Sequence, residues 1–221
     1  MLFRSFDSQQ RCAEFLTRNY PELPNRRAFF VQQGPGESVV FTFRGARLRE
    51  DLRHEATHAL LHAALPNVPL WLDEGLAEYF EADPEQDGLR PLYLDRLQRQ
   101  FAGGGGPDLV RLERLVDVAQ TTAADYRESW LWVHFCLHGP PEVRTAFQQH
   151  LTALAGSSAD SLQQRLTAAT ADPKAAVLAH LQALQAAQAQ NHASTLREGA
   201  SSAMEADPPQ NPHTFWKRRG R

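Results

Sequence analysis

The chain has 221 residues, 42% of them hydrophobic, and a formal net charge of -3. That length supports one sizeable core and argues against two large domains, so the expected organisation is a single domain over residues 1–190 and a disordered tail over 191–221. No basic surplus exists to neutralise a phosphate backbone, which argues against a nucleic-acid partner, and no stretch is apolar for long enough to span a bilayer.

In chain order, the first ten residues carry Arg4 and Asp7 and no hydrophobic signal region. The chain as given is therefore expected to be soluble, cytoplasmic by default and exported only if a leader has been removed. Residues 1–47 form the β-containing part: Ala28 to Gln32 and Ser38 to Phe43 read as short strands, joined by the turn-forming Gly34, Pro35 and Gly36. Residues 48–190 read as helical. Leu52, Ala56, Ala59, Leu60 and Ala63 place an apolar stripe at helical spacing until Pro66 and Asn67. A second helix is expected from Leu70 through Phe80, a third over Leu92 to Phe101, then a glycine-rich surface loop at Gly103 to Gly106. Further helices are expected over Leu109 to Val118, Asp125 to Leu137, Val143 to Leu154, Ser161 to Ala169, and from Asp172 and Pro173, an N-cap followed by a first-turn proline. The expected fold class is α+β, mostly helical. Cys12 and Cys136 show no pairing motif, and Cys136 in the apolar run Trp130 to Leu137 reads as a buried free thiol.

The stretch that carries chemistry is His54-Glu55-Ala56-Thr57-His58. On a helix the two histidines stand one turn apart on one face, where both imidazoles reach a single metal ion. Glu55 points about 100° round the helix from His54 and lies beside the metal without ligating it, the place for a general base. A catalytic zinc site generally takes three protein ligands and an open position, so a third donor is needed downstream. Asp73, Glu74 and Glu78 are the acids within reach on the second helix, which a turn at Pro66 to Pro69 folds back. Asp73 is better placed to cap that helix and Glu78 lies one turn deeper, leaving Glu74 as the third ligand. His62 extends the histidine face but reads as a solvated helix end. His138, His150 and His180 require no metal.

These segments resemble the gluzincin zinc peptidases, the superfamily of thermolysin and the M1-type aminopeptidases. They look most like bacterial peptidase-MA-like domains carrying the same histidine motif and a Trp71–Phe80 type block followed by a tyrosine-serine-tryptophan helix. The resemblance covers residues 49–80 and, more weakly, 126–137; the spacing from His58 to Glu74 is shorter than in the best-known members. It implies a zincin-like helical domain with one Zn²⁺ between two helices and Glu74 as third ligand. It also implies an acid at Glu78 that orients His54, and Tyr126 as oxyanion donor from a downstream helix, although Tyr126, Trp130 and His134 equally form an ordinary packing stripe at i, i+4, i+8.

The expected activity is a zinc-dependent metallopeptidase with a peptide or protein substrate, laid along the edge of the small sheet. The alternatives are a catalytically inactive zincin-like scaffold and a zinc hydrolase of a non-peptide amide or ester. Retention of Glu55 argues against the scaffold, because a structural site needs the ligands and not the base.

Overall fold

The computed structural model describes residues 2–21, 28–34, 37–65, 67–156 and 161–204. The protein is α+β and mostly helical, with a small N-terminal sheet. Strand β1 (Leu2–Phe6) leads into helix α1 (Gln9–Asn19), which Ser8 caps by accepting from the Arg11 amide. The two expected strands are present as β2 (Phe29–Gly34) and β3 (Glu37–Phe43), which pair antiparallel; the turn residues Pro35 and Gly36 lie outside the described residues. β1 and α1 extend the expectation. β1 pairs parallel with β3, giving the sheet order β1-β3-β2 and leaving β2 as one edge. Cys12 and Leu16 of α1 cover the sheet's inner face, packing with Phe29, Val39 and Phe41 into a small core.

The helical part begins with α2 (Leu48–Ala64) and α3 (Leu70–Glu81), followed by α4 (Pro91–Phe101), a short α5 (Leu109–Glu113), α6 (Ala123–His138), α7 (Pro141–Ala155), α8 (Leu162–Ala169) and α9 (Pro173–Met204). Local chemistry explains the starts. Thr122 and Asp125 form a reciprocal capping box on α6, Ser161 caps α8, and Asp172 accepts from the Ala175 amide at the head of α9. α5 is shorter than expected: Arg114 closes the turn, and Val118–Gln120 is a separate 3₁₀ turn capped by Asp117. The chain divides into compact units after Leu184. From Gln185 the second unit continues α9 as helix to Met204, through the Ala/Gln stretch where a tail was expected to begin. Ala, Gln and Leu are strong helix formers, which accounts for helix through this stretch. Residues 205–221 of the expected tail lie outside the described residues.

α6 is the central helix. Trp130, Leu131, Val133 and Phe135 are fully enclosed, and the Trp130 indole donates to the Gly88 carbonyl (2.9 Å). Cys12 and Cys136 are both buried free thiols. Among the described residues no helix is long and apolar enough to cross a membrane.

α3 packs tightly against α6 at Gly75, next to Glu74. A Cβ there would sit 2.8 Å from the Ser129 carbonyl oxygen and 2.8 Å from Val133 Cγ2. Alanine would raise helix propensity by about 1 kcal/mol, but two rigid neighbours must move. Gly75→Ala is therefore expected to destabilise the fold by about 1–3 kcal/mol, read as a lower denaturation midpoint. A rise in the midpoint would show that α3 shifts freely.

His134 and His180 join α6 to α9 through ring nitrogens 2.9 Å apart. Burial, and then the charges of neighbouring histidines, push His134 down to about 3 and His180 to about 4. Both values lie below the ordinary histidine pKa of about 6.5, so protons favour the unfolded chain. The stability from this pair is intact above about pH 6.5 and is lost as the pH falls toward 4. Between pH 7.5 and 5.5 the wild type should lose about 1–2 kcal/mol relative to His180→Gln, a comparison in which other titrating groups cancel. Parallel pH profiles for the two proteins would contradict this.

Candidate metal centre

α2 and α3 fold against each other so that one face of each lines a common seam. From α2 come His54 and His58, and from α3 comes Glu74, only 6% exposed. Glu74 Oε2 lies 3.8 Å from His54 Nε2 and 3.7 Å from His58 Nε2. One ligand atom from each of the three residues falls within 4.8 Å of the others. These separations exceed a hydrogen bond. Two atoms bound to one tetrahedral zinc at its usual ligand distances lie about 3.4 Å apart, so small side-chain adjustments place all three on one ion. The donor set, two imidazoles and a carboxylate, is one that zinc takes.

The other ring nitrogens are spoken for. His58 Nδ1 lies 2.8 Å from Asp73 Oδ1, and His54 Nδ1 lies 3.2 Å from Glu81 Oε2. A carboxylate only accepts, so each Nδ1 carries the hydrogen, and in the neutral ring the lone pair then sits on Nε2, the atom that faces Glu74. The carboxylates are ionised. Burial would raise Asp73, but the bonds from His58 and His62 outweigh it and hold it down to about 2. Glu81 is likewise held down to about 2 against burial, by His54 and by the charge of Arg90.

Three expectations are corrected here. Glu78, expected to orient His54, is instead engaged by the Tyr93 hydroxyl (2.7 Å) and by Arg90 (2.6 Å); Glu81, further along α3, holds His54. The reason is that Arg90 and Tyr93, from the start of α4, reach Glu78 and occupy it. Asp73 does not cap α3, whose N-cap is Pro69; it accepts from His58 and, on its second oxygen, from His62 Nε2 (2.9 Å). His62 is therefore a partner of Asp73 and not a solvated helix end.

An open cleft of about 1000 Å³ runs beside His54, which lines it together with Glu55, with Arg90, Tyr93 and Arg96 of the α4 side and with Ala28 just before β2. Glu55 thus lines solvent-accessible space beside His54, and its charge acts on that ring. Tyr126, expected as an oxyanion donor, does not line this cleft. It sits half-buried on α6, one turn before Trp130, whose side chain is fully buried in the core. Tyr93 is the tyrosine that lines the cleft.

No family model matches the chain, and no curated protein has a sequence similar to it.

The acids around His54 favour positive charge on its ring, with Arg90 and Arg47 paired to two of them. Burial would lower His54, yet its bond to Glu81 and the charges of Glu55, Glu78 and Glu74 raise it to about 9. Glu81 and Arg90 carried no sequence signal beyond their position in or after the motif block; their roles depend on how α2, α3 and α4 cross.

Proposed function

We propose that this chain is a zinc-dependent hydrolase of the gluzincin type, a metallopeptidase in which His54, His58 and Glu74 hold one Zn²⁺ and Glu55 is the general base. The observation that carries the reading is the convergence of two imidazole Nε2 atoms and a buried Glu74 oxygen beside a cleft lined by Glu55. When bound, zinc supplies Lewis acidity that polarises a carbonyl and acidifies water. Glu55 takes a proton from the attacking water and returns it to the leaving amine nitrogen. Glu81 and Asp73 keep both histidines in the tautomer that presents Nε2. A peptide substrate is supported by β2, an edge strand whose preceding residue Ala28 lines the cleft, so an extended chain there has backbone groups to pair with.

The test joins metal analysis to catalysis. Purified protein is expected to carry one zinc per chain, lost in Glu74→Ala and His58→Ala, and to cleave members of a peptide library. Absence of zinc from the wild type would overturn the reading. Zinc with turnover of esters or small amides, and none of peptides, would move the substrate class and leave the chemistry in place.

A further inference from the structure

We propose that His62 is a positioning residue of the metal centre: it pins Asp73 between two imidazoles and so fixes His58 as an Nε2 ligand. The inference rests on the metal reading above. His54, His58 and His62 stand at successive turns on one face of α2. The first two turn Nε2 toward Glu74, whereas His62 turns Nε2 to Asp73 Oδ2 at 2.9 Å. Asp73 Oδ1 meanwhile meets His58 Nδ1 at 2.8 Å. Each oxygen of one carboxylate is thereby committed to one ring.

That arrangement has a mechanical consequence. The terminal torsion of an aspartate is soft and roughly two-fold, so a carboxylate bonded through one oxygen can swivel and let its partner ring tilt. Bonding the second oxygen to His62 removes this freedom and sets the plane in which His58 Nδ1–H must lie. Because Asp73 directly precedes Glu74 on α3, the same clamp fixes the helical turn that delivers the third ligand. His62 is itself braced, its ring lying edge-on to Phe30 of β2 with centroids 5.3 Å apart. A continuous path of contacts therefore runs from Phe30 on the sheet edge through His62 and Asp73 to His58.

A merely structural tie between α2 and α3 would alter stability without altering how the metal is held, so the decisive readout is the metal itself. Zinc dissociation constants are measured by chelator competition for the full chain and for His62→Leu and His62→Gln, with the absorption spectrum of each cobalt-substituted form. Glutamine keeps an N–H close to the position of Nε2. Leucine is expected to weaken zinc binding about tenfold, the low end of what partners of metal ligands give, and to shift the cobalt bands; glutamine is expected to restore most of both. His62 is half-exposed, with a side chain 36% accessible, and should tolerate either residue. Should the leucine variant fail to fold, His62→Ala supplies the same comparison, since it too removes the donor to Asp73 Oδ2 and leaves the bond from His58 in place. Wild-type zinc affinity and an unchanged cobalt spectrum in His62→Leu would overturn the positioning role alone. A wild type that binds neither metal would overturn the metal reading and this inference with it.

Discussion

Replacing Glu55 with glutamine is expected to lower turnover of the zinc-loaded protein about 10²- to 10⁴-fold while zinc remains bound. Glutamine has nearly the same shape and still lines the cleft, so substrate access is unchanged, but an amide has no basicity with which to take a proton. The loss corresponds to about 3–5 kcal/mol of transition-state stabilisation and should fall on kcat with little change in KM. Affinity for zinc should decline only modestly. Glu55 is one of several charges acting on His54, and Glu81, Glu78 and Glu74 remain. A Glu55→Gln protein that kept full turnover would place the proton transfer elsewhere, and one that lost its zinc would make Glu55 a ligand.

The parts of this centre that were legible in the sequence are those set by local periodicity. His54 and His58 are four apart on a helix, so their shared face follows from 3.6 residues per turn, and the proline-bounded turn before α3 makes the return of Glu74 predictable. The partners of the histidines were less legible. Counting one turn from Glu74 points to Glu78, yet which acid meets His54 depends on the crossing of α2 and α3 and on Arg90 and Tyr93 arriving from α4. None of these is a local relation. β1 was invisible for a similar reason: Leu2–Phe6 is almost wholly exposed and shows no alternation, and its strand state comes from parallel pairing with β3 across more than thirty intervening residues, about the span a crossover needs. α9 shows the opposite case: beyond Gln190 composition suggested a tail, while the helix continues to Met204 through residues of high helix propensity.

The exchange of Glu78 for Glu81 can be decided by comparing two single substitutions. Glu81→Gln is expected to weaken zinc binding about 10- to 100-fold, because it replaces the carboxylate that orients His54 by an amide that accepts more weakly. Stability should fall too. Glu81 Oε1 accepts from Arg47 (2.7 Å) and Oε2 faces Arg90 (3.1 Å), so the substitution leaves partly buried guanidinium groups with fewer countercharges. Removing one partner of a fully buried ion pair costs about 3–5 kcal/mol. Here the loss should be smaller, about 1–3 kcal/mol, because Arg90 retains Glu78 and Arg47 retains Glu50. Glu78→Gln removes a charge of the same sign from the same helix, but the bond from His54 Nδ1 to Glu81 persists. Its effect on zinc should therefore be only that of one lost charge in the pocket, clearly smaller than that of Glu81→Gln. If Glu78→Gln proves the more damaging of the two for zinc, His54 is oriented by Glu78 after all, and the hydrogen bond to Glu81 is a feature of packing without consequence for the metal.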